Sequence, residues 1–147
     1  MKHIHFDTES DGYYGAEWEC KGGSDCTVIA MLGDDPEDHM ARSAVKWLLR
    51  LGVNVLTMSP AKKDYSHHNY PLECIEKAIA WLKSHGSAKI GIAGASTTGT
   101  LALTAASIFD DISLTVAMTP SDFVWQGFMQ GKKDGCKEWP IEGESLF

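Results

Sequence analysis

The sequence predicts an α/β fold, with a mostly parallel β-sheet and helices on both of its faces. Short apolar segments rich in β-branched residues alternate along the chain with segments whose apolar residues recur at helical spacing. One strand-like segment, 26–32, is apolar throughout, which is typical of a strand buried on both faces of a parallel sheet. The 147 residues suit a single domain, which we expect to comprise residues 1–147.

The predicted elements follow one another in a regular alternation of strands and helices. The strands are expected at 13–20, 26–32, 53–58, 89–94 and 112–118, and the helices at 36–51, 71–85 and 97–109. Alternation of this length implies right-handed crossovers and therefore parallel strands. After Asp122 the periodicity is lost, so we expect an irregular C-terminal segment at 123–147.

The first helix has the most explicit local signals. Asp35 is the expected N-cap and Pro36 the first helical residue, while Gly52 marks the end of the helix. Its expected buried face consists of six apolar residues at helical spacing: Met40, Ala44, Val45, Trp47, Leu48 and Leu51.

The charge balance excludes some classes of partner. With 13 Lys and Arg against 20 Asp and Glu, the formal charge is −7. We therefore expect neither nucleic acid nor a membrane surface as a partner, because both favour basic proteins. No apolar run approaches the ~18 residues of a membrane span and no targeting signal is evident, which favours a cytoplasmic location. The four cysteines lack C-x-x-C spacing, so neither a zinc site nor a disulfide framework is expected.

The turn after the strand at 89–94 contains the candidate chemistry. Gly94-x-Ser96 lies between a predicted strand and a predicted helix, as in a nucleophile elbow, in which a tight turn raises a serine hydroxyl above the sheet. The N–H of Thr97 would then face a developing oxyanion. The usual pattern is Gly-x-Ser-x-Gly, whereas here Thr98 has the fifth position and Gly99 follows one residue late, so we expect a slightly looser turn.

Other interpretations of this turn stay open. Residues 94–99 fit G-x-x-x-x-G, but Thr100 and Leu101 replace the Lys and the Ser or Thr that complete a phosphate-binding loop. The intervals between the glycines do not fit a dinucleotide fingerprint. Ser96 is also compatible with an ordinary helix N-cap, and a flavodoxin-like domain that binds an anion at this helix N-terminus is a further alternative.

Two clusters of potential metal ligands have simpler explanations. The acidic segment at 34–39 caps and solvates a helix start more readily than it binds a metal. The adjacent His67 and His68 are expected to be solvated in a loop. We therefore predict no metal and no cofactor.

Two stretches flanking the third helix are similar to a known family. Residues 89–96 and 112–124 resemble the α/β-hydrolase domain of the acyl-CoA thioester hydrolase / bile acid-CoA:amino acid N-acyltransferase family, and the similarity of pattern extends from about residue 26 to 128. The resemblance implies a three-layer α/β-hydrolase-like sheet. It also implies a nucleophile at Ser96 that takes an acyl group from a thioester such as acyl-CoA, with water or an amine as the acceptor. A second oxyanion donor would come from the loop at Gly33 and Asp34.

The same resemblance implies a catalytic base that the chain lacks. In α/β-hydrolases an Asp or Glu and then a His follow the nucleophile along the chain. Here all six histidines precede Ser96: His3, His5, His39, His67, His68 and His85. We therefore expect a C-terminally incomplete domain that lacks the triad Asp and His and is inactive alone. The alternatives are a fold that has lost catalysis and a second chain that supplies the missing residues. Trp125, Phe128 and Trp139 then either line an acyl channel or are core residues without their partners.

A non-catalytic module is the alternative. A sheet that ends at the strand 112–118 leaves backbone groups unpaired, and such an edge favours association with another chain. The alternative predicts a homodimer or a domain swap through this open edge.

Overall fold

The fold is seen in a computed structural model that describes residues 3–59 and 70–123. Within these ranges the chain forms six strands and three helices. The strands are β1 (His3–Phe6), β2 (Gly15–Trp18), β3 (Cys26–Met31), β4 (Asn54–Met58), β5 (Lys89–Ala95) and β6 (Ile112–Met118). The helices are α1 (His39–Arg50), α2 (Glu73–Ser84) and α3 (Thr97–Ile108).

All six strands belong to one sheet with the order β1-β2-β4-β3-β5-β6. Strands β3 to β6 are parallel to one another, which confirms the predicted parallel sheet. The first two strands are antiparallel and extend the sheet on the β4 side. The prediction missed β1, because a segment of only four residues is too short to show a clear periodicity.

Helices cover both faces of the sheet, as predicted. On one face α2 and α3 pack over a large core that includes Ile29, Leu56 and Ile92. On the other face α1 packs over a smaller cluster that includes Val55 and Leu48. The sheet is therefore the middle layer of three.

Helix α1 begins three residues later than predicted. Its N-cap is Asp38, not Asp35, and its first helical residue is His39, not Pro36. The carboxylate of Asp38 accepts hydrogen bonds from the backbone N–H groups of Met40 and Ala41, so it satisfies two of the amides that a helix start leaves without partners.

The buried face of α1 is narrower than the predicted stripe. Ala44, Val45 and Leu48 are buried together with Ala41. Met40, Trp47 and Leu51, which belong to the same predicted stripe, are more than half exposed. Helical spacing alone did not separate the residues that face the sheet from those on the flank of the helix, because both sets are apolar.

The carboxyl ends of β3, β4, β5 and β6 meet at one edge of the sheet, which we call the carboxyl edge. Because β2 is antiparallel to β4, with Gly15 opposite Met58, β2 begins at this same edge. The carboxyl edge thus collects the loop that follows β3, Ser59 after β4, Ser96 after β5 and the turn after β6.

Several predictions concern residues outside the described ranges. These are the solvated pair His67 and His68, the aromatic residues Trp125, Phe128 and Trp139, and the irregular segment, of which only Phe123 is described. Among the described helices, none combines the length and the apolar character that a membrane crossing requires. The cytoplasmic location stays a prediction.

Candidate active site

Ser96 lies at the junction of β5 and α3 in a strained backbone conformation. Its φ of 54° and ψ of −122° are rare for a residue with a side chain. Its own N–H donates to the carbonyl of Met118 at 2.9 Å, which ties the turn to the end of β6. The residue is exposed at the carboxyl edge. Strain and exposure together are the features of a nucleophile elbow.

The interpretation of Ser96 as an ordinary N-cap does not fit this geometry. An N-cap residue has extended backbone angles and its side chain accepts a hydrogen bond from the helix start. Ser96 has a positive φ and makes no side-chain capping hydrogen bond. The hydroxyl therefore does not serve the helix.

Two glycines make the tight turn sterically feasible. A Cβ at Gly94 would collide with the backbone of Thr98 and would lie 2.9 Å from the amide nitrogen of Gly99. A Cβ at Gly99 would lie 3.0 Å from the carbonyl oxygen of Met118. Close packing of the helix start on the neighbouring strand is thus achieved at Gly99, one residue later than in the usual pattern.

Thr98 fastens the turn, contrary to the expectation of a looser one. Its side chain is buried, and its hydroxyl accepts a hydrogen bond from the N–H of Ala95 at 3.0 Å. The same hydroxyl donates to the carbonyl of Met31 at 2.5 Å, with the carbonyl of Ala95 also in reach at 2.9 Å. The elbow is therefore bonded to the end of β3.

Thr97 is the first residue of α3, so its N–H has no partner within the helix. It directly follows Ser96, and the positive end of the α3 dipole lies at the same place. An anion that developed beside the Ser96 hydroxyl would meet this N–H and this potential.

The loop after β3 approaches the same part of the edge. Met31, at the end of β3, is in register with Gly94 on β5, so Gly33 and Asp34 follow beside the elbow. The N–H of Asp34 donates to Oδ2 of Asp38 at 2.8 Å. A Cβ on Gly33 would lie only 2.5 Å from Oδ1 of Asp38, which explains the glycine at this position.

Two further side chains hold this loop, and sequence reasoning missed both. Ser59 donates its hydroxyl to the carbonyl of Asp34 at 2.6 Å, and Tyr14 donates to Oδ2 of Asp35 at 2.9 Å. Burial, followed by the hydrogen bond to Asp35, raises the pKa of Tyr14 above its usual value. Their position at the ends of neighbouring strands is the one signal that the sequence offered.

The acidic segment at 34–39 is organised around hydrogen bonds and ion pairs. Glu37 contacts Nε2 of His3 at 3.2 Å and Nδ1 of His5 at 3.4 Å, and Arg42 lies 3.7 Å away. In the described ranges no group of three or more His, Cys, Asp or Glu residues is arranged to hold a metal ion. The acidic residues thus cap α1 and attach it to β1.

Three histidines of the described ranges have side-chain contacts, and none of these contacts is with Ser96. His3 and His5 pair with Glu37, and His85 stacks on Trp81 of α2 at 3.9 Å between ring centroids. The site as described therefore combines an exposed serine, a helix N-terminus and a fastened loop.

Solved structures with the same architecture define the class of protein. An esterase of Pyrococcus furiosus, Pf2001, is 26% identical to this chain with a TM-score of 0.63, and the match covers 81% of this chain and 49% of the esterase. A second structure of Pf2001 gives the same identity and TM-score, with 51% of that chain covered. Est1E from Butyrivibrio proteoclasticus shares the fold at 20% identity, with a TM-score of 0.62 and coverage of 82% and 51%.

This chain therefore has the α/β-hydrolase fold, and it spans about half the length of the esterases that it matches. The family described as "BAAT / Acyl-CoA thioester hydrolase C terminal" matches residues 70–146, more than half of the chain. The chain belongs to this family, as its resemblance implied. No curated protein matches it.

Proposed function

We propose that this chain contributes the nucleophile to an acyl-transferring α/β-hydrolase whose substrates are thioesters such as acyl-CoA, or related esters. The observation that carries the proposal is the backbone of Ser96, which is strained and exposed between β5 and α3. The family to which the chain belongs and the esterases that it resembles support this substrate range.

The proposed reaction proceeds through an acyl-serine. Oγ of Ser96 attacks the acyl carbonyl carbon, and the bond from that carbon to sulfur or oxygen breaks. A base takes the serine proton and passes it to the leaving thiolate or alkoxide. Water or an amine then attacks the carbonyl carbon of the acyl-serine, and the bond from that carbon to Oγ of Ser96 breaks. The base carries the proton of the attacking water or amine to Oγ.

The developing oxyanion would accept hydrogen bonds from two backbone amides. The N–H of Thr97 is one proposed donor, and the loop at Gly33 and Asp34 supplies the other. The N–H of Asp34 already donates to Asp38, whereas no partner of the Gly33 N–H lies within the described ranges, so the geometry favours Gly33.

We propose that polypeptide beyond this sequence supplies the triad Asp and His, and that residues 1–147 form one part of the catalytic domain. A serine hydroxyl needs a base to become nucleophilic near neutral pH. The 147-residue chain alone is therefore expected to show no significant hydrolase activity.

A fluorophosphonate probe tests the nucleophile. In the intact gene product that contains this sequence, mass spectrometry should find the adduct on Ser96, and Ser96→Ala should abolish it. Ser107→Ala is the matched control, because this serine lies on α3 and bonds only to the helix carbonyl of Thr104. If the probe modifies the intact protein but leaves Ser96 unlabelled, the assignment of the nucleophile is wrong.

A second candidate function is association through the edge of the sheet at β6, which has no further strand beside it within residues 3–59 and 70–123. Leu114, Val116 and Met118 lie on the α1 face of the sheet and are between 43% and 61% exposed. The strand Ile112–Met118 has no charged residue, so it lacks the usual protection of an edge strand.

Light scattering after size-exclusion chromatography distinguishes this candidate. The 147-residue chain should elute as a dimer, and Val116→Lys should shift it to the monomer mass. Trp47→Lys is the control, because Trp47 is a still more exposed apolar residue, at 58% against 43% for Val116, but lies on α1. A monomer mass for the unmodified chain at all concentrations would contradict the association.

A further inference from the structure

The two carboxylate oxygens of Asp38 have separate partners. Oδ1 accepts hydrogen bonds from the N–H groups of Met40 and Ala41, both at 2.8 Å, and so caps α1. Oδ2 accepts from the N–H groups of Asp34 at 2.8 Å and Asp35 at 3.3 Å, and so fastens the loop after β3. One side chain therefore joins the start of a helix to the loop beside the elbow.

These four hydrogen bonds stabilise the negative charge of the Asp38 carboxylate. Burial favours the neutral acid, but the four backbone hydrogen bonds outweigh it and lower the pKa of the carboxyl below its usual value. The side chain is thus ionised at neutral pH, and its negative charge is directed at four amides. This arrangement limits the repulsion that a nearby oxyanion would experience.

A second side chain, Ser59, also holds the loop after β3 in place. Ser59 donates to the carbonyl of Asp34 while Asp38 accepts from the N–H of the same residue, so the peptide groups on both sides of Asp34 are held. The conformation of Gly33, the preceding residue, depends on this anchor. Gly33 also packs directly against the Asp38 carboxylate, where no Cβ would fit.

We propose that Asp38 is a positioning residue that holds the Gly33 N–H where it stabilises the oxyanion of the acyl transfer. This inference rests on the proposed function of Ser96. Asp38 itself does not touch the substrate. Its contribution is the placement of a donor, and a misplacement of about 1 Å costs on the order of a hundredfold in rate.

Asp38→Asn distinguishes the two roles of the side chain, the cap of α1 and the attachment of the loop after β3. An amide of the same shape has one acceptor oxygen, which can retain the cap of α1, and it presents an NH2 group to the amides of the loop. Asn is as good an N-cap as Asp, so the helix should persist.

In the intact protein, with p-nitrophenyl acetate as substrate, Asp38→Asn should lower kcat about tenfold to a hundredfold and leave KM within about twofold. In Asp38→Ser, the serine side chain can cap the helix but is too short to reach the loop, so kcat should fall by the same factor. Asp11→Asn, an exposed carboxylate in the loop between β1 and β2, should leave kcat unchanged.

Hydrogen exchange of the 147-residue chain supplies a readout that does not depend on activity. The N–H groups of Asp34 and Asp35 should exchange faster in Asp38→Asn, while those of Met40 and Ala41 keep their protection. Faster loop exchange with an unchanged kcat would refute the positioning role. Turnover that survives Ser96→Ala would instead refute the proposed function, and would leave Asp38 as a helix cap alone.

Discussion

Thr98→Val tests the attachment of the elbow to β3. The substitution replaces a hydroxyl by a methyl group of similar size, so it creates no cavity. It removes the acceptor for the N–H of Ala95 and the donor to the carbonyl of Met31. Met31 is fully buried and Thr98 is 4% exposed, so water has little access to the groups left behind.

The expected magnitude follows from these two lost hydrogen bonds. A buried donor or acceptor left without a partner costs about 1–3 kcal/mol. Ala95 is only partly buried, so water can satisfy its N–H in part. We therefore expect Thr98→Val to lower the free energy of unfolding by about 2–3 kcal/mol. For a domain of this size, that corresponds to a fall in Tm of about 5–10 °C.

Urea unfolding of the 147-residue chain, followed by tryptophan fluorescence, measures this change. Thr98→Ser keeps the hydroxyl and loses one methyl group, so it should cost about 1 kcal/mol. Thr104→Val is the matched control, because this buried hydroxyl donates only within α3, to the carbonyl of Thr100. Unfolding free energies of Thr98→Val and wild type within about 0.5 kcal/mol of each other would refute the structural role of the hydroxyl.

Two further predictions concern strain and pH. Because Ser96 has a φ of 54°, Ser96→Gly should relieve backbone strain and be more stable than Ser96→Ala by about 1 kcal/mol in the same urea assay, and equal stabilities would contradict the strain. The lowered pKa of Asp38 stabilises the fold above about pH 4, and this contribution is lost as the pH falls through the folded-state pKa. The stability difference between wild type and Asp38→Asn should therefore shrink as the pH falls below about 4, and a constant difference would contradict the ionised anchor.

Local sequence patterns were sufficient to predict the elements whose formation depends on residues close together in the chain. The four parallel strands, the three helices and the place of Ser96 between β5 and α3 follow from apolar periodicity and glycines, because these signals act over a few residues. The turn chemistry of Gly94-x-Ser96 is equally local. The predicted start of α1 was wrong, since Asp35 and Asp38 are both good N-cap residues and only the hydrogen bonds of the folded chain distinguish them.

The amino-acid sequence was enough to predict a parallel α/β sheet with a serine at the end of β5, because the alternation of strands and helices and the tight glycine turn each depend on contiguous residues. The contacts that support that serine became visible in the folded chain alone. Thr98 meets Met31 across 67 residues, and Tyr14 meets Asp35 across 21. Contacts of this kind arise from the register of the sheet, which brings the ends of distant strands to one edge.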